Sequence, residues 1–258
     1  MDVSRDFYLT LPSNASMDHF PNNTLSHFYN KLPQPVDLTK GQWEVGLAEL
    51  SCPHSWPNVQ GQSVYIIVKP DKSHREKLIL PEGYYQSTEI LVRQLNALVA
   101  SAQNEAVRQG VRFVYNTVSQ KIQVSHSVRS VQPSEEFQRL TGFRQGMGRK
   151  SKNGNLDHEE ASHTPDLEGG IYNLFVYSSV AQYRQVGDQM TPLLRILPVS
   201  KEFNGNHHVR NLQNVHYVPV SQNIFETVEI YIGTTLGQPV PFQSGQVIAT
   251  LHFRQRQS

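Results

Sequence analysis

The amino-acid sequence predicts a mainly β protein, a jelly-roll antiparallel sandwich that carries a mixed α/β insertion. Short alternating or β-branched runs, separated by proline, glycine and asparagine, dominate both ends of the 258-residue chain. One segment between residues 87 and 108 instead has the periodicity of an amphipathic helix. Because helices do not alternate with strands along the chain, the pattern favours an antiparallel sandwich over a parallel βαβ sheet.

The first predicted part, residues 1–81, supplies the N-terminal jelly-roll strands. From Trp43 to Leu47 apolar residues occupy every other position, which is typical of a half-buried strand. Pro33 and Pro35 predict a long loop between the first two strands. The predicted strands are Arg5–Leu11, Gln42–Leu50, Ser63–Lys69 and Lys77–Leu80, of which the last two pair through a turn at Asp71–His74.

The second predicted part, residues 82–145, is the mixed α/β insertion. Its main helix runs from Ser87 to about Arg108, and Gly110 ends it. The polar face of this helix is rich in Gln and Asn, so we expect it to pack on its own sheet rather than on a membrane. The elements predicted to follow are a hairpin of Val111–Asn116 with Lys121–Ser125, and a short helix Ser134–Leu140 that stops at Gly142.

The remaining two parts are a loop and the C-terminal half of the sandwich. Residues 146–168 contain too few apolar residues to bury, which predicts a flexible surface loop or interdomain link. Residues 169–258 are predicted to complete the jelly roll. The strands expected there are Ile171–Val180, Leu193–Pro198, Val209–Val218, Phe225–Ile232 and Gln246–Phe253.

Composition limits the functional classes. The chain has 23 Lys and Arg against 22 Asp and Glu, whereas a protein that clamps nucleic acid along its length normally has a basic excess. The single cysteine, Cys52, excludes an intrachain disulfide and fits a reducing cytosol or nucleus. No run approaches the roughly 18 apolar residues of a membrane span, and residues 1–11 lack the features of a signal peptide.

Several peptides, taken in order and spacing, resemble one protein family. They are Phe7–Ser16, Phe20–Thr24, Gly41–Leu50, Pro53–Trp56, Leu140–Phe143, Phe175–Tyr177, Ile230–Ile232, Gly237–Phe242 and Leu251–Arg254. Together they span most of the chain. Their arrangement resembles the penton-like minor capsid protein of Polinton/Maverick-type viruses and transposons, which is also found in adintoviruses.

This resemblance implies a non-enzymatic structural capsid subunit without a cofactor or a bound metal. It implies homopentamers at the vertices of an icosahedral shell, with the double jelly-roll major capsid protein as neighbour and weak contact with packaged DNA. The implied location is the virion capsid, assembled in the host cytoplasm or nucleus. Residues 144–163 match no motif of the family.

Two other functions remain open at this stage, because jelly rolls also occur in lectins and cupins. The first is a receptor- or glycan-binding module, for which Tyr84, Tyr85 or Tyr183 could supply an aromatic pocket. The second is a cupin-like metal enzyme, which an assay for stoichiometric iron, zinc or manganese would distinguish.

Cysteine and histidine provide the strongest candidates for a metal or catalytic site. Cys52 and His54 supply only two of the four ligands that zinc prefers, and we expect Cys52 to be a small buried residue at a strand end. His207 and His208, which with His216 could bind a metal, are adjacent and would point to opposite faces of any strand. The neighbouring Asn204–Asn206 predicts a loop beside them. His158 and His163 are predicted to be solvated.

Charged residues give weaker signals. The stretch Arg144–Lys150 contains glycines and basic residues but lacks the ending of a phosphate-binding loop, so an anion contact there is the minor alternative. Glu44 and Glu49 are predicted to face opposite sides of one strand, so they do not form an acid–base pair. Arg254 and Arg256 are placed just outside the last strand, in a solvated tail rather than on DNA or an acidic neighbour.

Overall fold

The computed structural model describes residues 6–144, 157–199, 207–234 and 237–256, with only the backbone described at 207–211. The strands are β1 (Asp6–Pro12), β2 (His27–Asp37), β3 (Trp43–Pro53), β4 (Tyr65–Lys69), β5 (Glu76–Ile79), β6 (Val111–Asn116), β7 (Lys121–His126), β8 (Ser130–Pro133), β9 (Asp157–Glu160), β10 (Asn173–Ser178), β11 (Arg184–Val186), β12 (Gln189–Thr191), β13 (Leu193–Pro198), β14 (His207–Asn211), β15 (Val218–Pro219), β16 (Ile224–Gly233) and β17 (Ile248–Gln255). The helices are α1 (Thr88–Ala100), α2 (Glu105–Gly110) and α3 (Glu135–Thr141).

These elements fall into two units. The first unit combines the two ends of the chain, up to Trp56 and from Ile171, and the second comprises Pro57–Gly170. The predicted boundary between 1–81 and 82–145 therefore moves to residue 57. The reason is strand pairing: β4 pairs with β5 and with β8, so it belongs to the second unit and not to the jelly roll.

Among the described residues, the first unit contains a five-stranded sheet, a four-stranded sheet and the two-stranded β11–β12 hairpin. Sheet A has the order β1-β17-β3-β14, with β15 also paired to β3, and sheet B has the order β13-β10-β16-β2. Every pairing in the two sheets is antiparallel. Consecutive long strands repeatedly change sheet, so that the last strand lies between the first and third. This interleaved order is that of a jelly roll, which confirms the predicted fold class.

The inner faces of sheets A and B share one hydrophobic core. In β17, Ala249, Leu251 and Phe253 alternate with outward residues and are fully buried. In β16, Val228 and Ile230 do the same. Burial of each large apolar side chain contributes about 1.5–3 kcal/mol, so this alternation is what stabilises the sandwich.

Strand β2 was not predicted. Pro33 and Pro35 indicated a loop, yet they lie within a strand at the edge of sheet B. The pairing of β2 with β16 shifts register between Phe225 and Thr227, so that Leu32–Pro35 form a bulge. An edge position and a bulge both tolerate a residue without a backbone N–H, such as proline. The loop prediction was wrong for that reason.

The second unit consists of two three-stranded antiparallel sheets and the three helices. The sheets are β5-β4-β8 and β6-β7-β9, and both predicted hairpins are present. In the first hairpin, Asp71 Oδ1 accepts hydrogen bonds from the backbone N–H groups of Ser73 (2.7 Å) and His74 (2.8 Å). Helix α3 begins after the N-cap Ser134 and ends at Gly142 with φ +81°, as predicted.

The predicted helix 87–108 is two helices. The hydroxyl of Ser101 donates to the Leu98 carbonyl at 2.7 Å and ends α1. Asn104 caps α2 by accepting from the Ala106 N–H at 2.9 Å. Glu76 stabilises the segment between α1 and α2, because its carboxylate accepts a hydrogen bond from the backbone N–H of Asn104 at 3.1 Å.

Helix α1 packs on the sheet of its own unit, as expected. Its buried face carries Leu91, Leu95 and Val99. Asn96 binds both backbone groups of Phe113 in β6, donating to the carbonyl at 2.8 Å and accepting from the N–H at 2.9 Å. Within the described residues, no helix has the length and apolar character needed to cross a membrane.

The prediction of a flexible link at 146–168 is wrong for its second half. Strand β9 pairs with β7, and Ala161 is buried. The carbonyl of Gly142 then accepts hydrogen bonds from the N–H groups of Ser162 and His163. Backbone pairing holds this segment although its side chains are mostly polar, while residues 145–156 lie outside the described part.

Candidate functional site

The outward face of sheet B carries a row of aromatic side chains. Tyr177, Tyr231 and His27 are cross-strand partners on β10, β16 and β2. The ring centroids of Tyr177 and Tyr231 are 5.8 Å apart, and those of Tyr231 and His27 are 5.4 Å apart. Tyr29 continues the row at 5.2 Å from His27, and Phe20 lies 5.3 Å beyond it. Such partly exposed aromatic rows are typical of surfaces that bind a ligand or another protein.

Glu229 lies within this aromatic row. Its Oε1 accepts a hydrogen bond from the Tyr29 hydroxyl at 2.9 Å and lies 2.7 Å from His27 Nε2. Burial, and then the hydrogen bond to Glu229, raise the pKa of Tyr29 above its usual range. The carboxylate is therefore held in place on one oxygen, and the neighbouring phenol stays protonated at neutral pH.

A cleft of about 350 Å³ opens beside the aromatic row. Tyr177 and Tyr231 lie on one side, and Tyr183 lines it where the chain enters the β11–β12 hairpin. Tyr183 is 61% exposed. The other residues that line the cleft are Ser178, Ser179, Gln189, Thr191, Pro192, Glu229 and Gly237. Tyr183 was one of the three tyrosines predicted for a binding pocket, whereas Tyr84 and Tyr85 belong to the second unit.

The outward face of sheet A carries a second cluster, centred on His252. The ring of Tyr8 stacks on His252 at 4.3 Å, and the hydroxyl of Tyr217 lies 2.6 Å from His252 Nδ1. Asp6 Oδ2 lies 3.5 Å from His252 Nε2. Burial is the main cause that raises the pKa of Tyr217. The cluster is polar and aromatic on the same face, as at the rim of many interfaces.

Arg254 belongs to the same face and not to a solvated tail. It lies inside β17, binds Glu44 Oε2 at 3.1 Å and covers the ring of Tyr217 at 3.5 Å. The prediction that placed Arg254 beyond the last strand was therefore wrong, because β17 extends to Gln255. Only Arg256 lies beyond this strand, and it is exposed.

Glu44 and Glu49 face the same side of β3, contrary to prediction. The pairing of β3 with β17 shifts register at Ala48, which is an extra residue. A bulge reverses the alternation beyond it, so Leu47 and Leu50 are both buried. Their partners on β17, Arg254 and Thr250, are four residues apart, so the two glutamates are roughly 13 Å apart at about 3.3 Å per residue, too far for an acid–base pair.

Cys52 is a buried residue near the end of β3, as predicted. His54, two residues further on, packs against the ring of Trp56 with centroids 4.1 Å apart. Burial lowers the pKa of His54 below the usual histidine value. This imidazole is therefore neutral at physiological pH and belongs to the packing at the end of sheet A.

The protein should lose stability in mild acid because of His54. In the unfolded state His54 binds a proton near pH 6.5, whereas burial in the folded state disfavours its protonation. The free energy of unfolding should therefore fall as pH decreases from 7.5 to 5.5. Urea denaturation at each pH measures the change. A His54→Gln variant should show a smaller decrease, whereas His216→Gln, at an exposed position, should follow the wild type. Equal pH dependence in all three proteins would contradict the role of His54.

The other predicted histidines lie on separate segments of the chain. His207 and His208 lie on β14, where they pair with Pro53 and Cys52, so the predicted loop is a strand at this point. His158 and His163 are exposed, as expected, and His158 Nδ1 lies 2.7 Å from Ser125 Oγ. Across the described ranges, no group of three or more His, Cys, Asp or Glu could hold a metal ion. The Arg144–Lys150 stretch lies outside the described residues except for Arg144.

Sequence reasoning missed the aromatic row on sheet B. Its signal was present as aromatic residues two positions apart on single strands, His27 with Tyr29 and Phe175 with Tyr177. Spacing of two places both side chains of a pair on one face. What the sequence could not supply was the register that aligns three strands.

The strand order defines a single jelly roll, and the second unit is inserted in the sequence between β3 and β10. In fold, the chain is similar to the mavirus penton protein in its crystal structure, with a TM-score of 0.56 and 11% identity, covering 97% of this chain and 100% of that chain. It is also similar to a chain in the cryo-EM structure of the Sputnik virophage, with a TM-score of 0.51 and 9% identity, covering 97% and 98%. The resemblance to penton-like proteins is confirmed at the level of the fold. The chain matches no protein-family model and no curated protein.

Proposed function

We propose that the protein is a structural subunit of a virus capsid, a penton-like minor capsid protein that forms pentameric vertices of an icosahedral shell. The observation that carries this proposal is the fold similarity to the mavirus penton protein, which extends over the whole of that chain. The similarity includes the inserted unit as well as the jelly roll. A similarity that came only from the widespread jelly-roll architecture would cover the sandwich alone.

The surface chemistry supports association between copies. A closed ring of five copies needs a heterologous interface, in which one patch meets a different patch on the next copy. The first unit has two different outward surfaces, the His252 cluster on sheet A and the part of sheet B around Ile196 on the edge strand β13. Aromatic residues are enriched at protein interfaces: Tyr8 and Tyr217 belong to the first surface, and Phe175, the cross-strand partner of Ile196, belongs to the second.

The proposed partners are further copies of this chain and a double jelly-roll major capsid protein. The net charge of +1 supports at most weak contact with packaged DNA. The proposed location is the virion capsid, after assembly in the host cytoplasm or nucleus, where the lone Cys52 would stay reduced. In this role the protein has no enzymatic activity and needs no cofactor, and membership of a Polinton, Maverick or adintovirus lineage remains a prediction.

Mass measurement tests the proposal. Native mass spectrometry and negative-stain imaging of the purified protein should show rings of five times the chain mass. Where the chain stays monomeric alone, co-expression with the major capsid protein should place it at five-fold vertices in cryo-EM maps. The proposal would be contradicted if the purified chain is monomeric and the co-expressed chain is also absent from the five-fold vertices.

Charge-introducing variants locate the interface. Tyr8→Lys alters the outward face of sheet A, and Ile196→Lys alters that of sheet B, at positions 61% and 42% exposed. At least one of the two should reduce pentamer formation tenfold or more, because burial of an unpaired charge in an interface is costly. Val118→Lys, at a 93% exposed position of the inserted unit, is the matched control and should assemble normally.

A further inference from the structure

We propose that the cleft beside the aromatic row of sheet B binds a neutral monosaccharide unit of a glycan. This function goes beyond the capsid role and does not depend on it. The volume of about 350 Å³ lies at the lower end of the range for ligand pockets, about 300–1,000 Å³. A single sugar ring, with part of a second, is the size of ligand that such a cleft accommodates.

The tyrosines provide the stacking surface. Tyr177 and Tyr231 are cross-strand partners with centroids 5.8 Å apart, and the Tyr231 hydroxyl donates to the Gly237 carbonyl at 2.8 Å. This hydrogen bond orients the ring of Tyr231 between the sheet and the loop that follows β16. Tyr183 presents a largely exposed ring at the rim. Sugars bind proteins through their C–H faces, which pack on aromatic rings of this kind.

The polar groups match a ligand rich in hydroxyls. Among the described residues, both side-chain hydrogen bonds to Glu229 use Oε1, so Oε2 can accept from a ligand. Thr191 Oγ1 is buried without a hydrogen-bond partner among the described residues, and Thr191 lines the cleft. A buried unpaired hydroxyl is costly. Ligand hydroxyls both donate and accept, which is what this set of groups requires.

The charge of the cleft favours a neutral sugar. Among the residues that line it, Glu229 is the only one that carries a charge at neutral pH, and no Lys, Arg or His is among them. Burial raises the pKa of Tyr177 and of Tyr231, so both phenols remain neutral. A sialic acid or a phosphate would lack a cationic partner here and would be repelled by the carboxylate.

A cationic side chain from another protein is the rival occupant, because tyrosine rings beside a carboxylate also attract Lys or Arg. The unpaired hydroxyl of Thr191 and the amide of Gln189 favour the sugar, since a cation can only donate to them. The rival is therefore treated as an outcome of the experiment.

Saturation-transfer NMR on the full-length protein tests the proposal, with glucose, galactose, mannose and their N-acetylated amines as probes. At least one sugar should bind with Kd of about 1 mM, equivalent to about −4 kcal/mol. Tyr183→Ala and Glu229→Gln should each weaken this binding tenfold or more. Tyr172→Ala is the matched control, because Tyr172 is also exposed, at 52%, but does not line the cleft, and it should bind like the wild type.

Three results would overturn the inference. The first is the absence of binding by every sugar, and the second is equal weakening in Tyr172→Ala and Tyr183→Ala. The third is binding of N-acetyl-lysinamide without any sugar, which would assign the cleft to a cationic side chain. Each result leaves the pentamer measurements unaffected, so failure here is distinguishable from failure of the capsid proposal.

Discussion

Replacing Phe253 with alanine should lower the free energy of unfolding by about 3–5 kcal/mol. Phe253 is fully buried on β17, where it stacks on Phe7 with centroids 4.8 Å apart and packs on Phe225 at 5.7 Å. Removal of the ring leaves a cavity between two sheets that cannot collapse without breaking strand pairing. Since single domains are stable by only about 5–15 kcal/mol, this loss is a large fraction of the total.

Urea denaturation followed by circular dichroism measures the effect of Phe253→Ala. The midpoint should shift downwards with little change in slope. Tyr183→Ala removes a ring of similar size at an exposed position and should change the free energy by less than about 0.5 kcal/mol. A loss below about 1 kcal/mol for Phe253→Ala would show that the two sheets do not share the core described above.

Replacing Gly142 with alanine should destabilise the second unit by about 2–4 kcal/mol, through the left-handed backbone and a steric collision. Gly142 ends α3 with φ +81°, and a Cβ atom there would collide with the backbone carbonyl of His163. The collision would push away the segment whose N–H groups bind the Gly142 carbonyl. Hydrogen exchange should show lost protection at Ser162 and His163.

A glycine in the same unit provides the matched control. Gly61 also has a positive φ, +56°, but an added Cβ would meet no atom within 4 Å. Gly61→Ala should therefore cost only about 1–2 kcal/mol, the conformational term alone. Equal losses in the two variants would mean that the contact with His163 contributes nothing to stability.

The fold class was predictable because the jelly roll depends on side-chain alternation, which is visible in the sequence. Strand β13 was predicted with its observed bounds, Leu193–Pro198, and α3 was predicted from its caps at Ser134 and Gly142. Capping residues satisfy backbone groups locally, so their effect does not depend on distant parts of the chain.

Features that depend on register were not predictable. The bulge at Ala48 is created by the pairing with β17, about 200 residues further along the chain, and it determines which way Glu49 faces. The edge position of β2 depends likewise on β16. The end of α1 at Ser101 is different, because Asn104 followed by Glu105 is a local N-cap signal that the apolar periodicity obscured.

The candidate site was predictable only in part. Tyr183 could be named because it is an aromatic residue outside the predicted strands. The cleft around it also needs Thr191 from β12, Tyr177 from β10 and Glu229 from β16. Three separate strands supply these residues, so no pattern within a single segment could indicate the cleft.

The position of β17 between β1 and β3 has a consequence for biosynthesis. Strand pairings within 57–170 involve only residues of that segment, so they can form while the ribosome is still translating the rest of the chain. Sheet A cannot close in this way, because its middle strand emerges after both neighbours. Nascent copies therefore complete the outward surface of sheet A only once β17 has been made, and a prematurely terminated chain cannot form it.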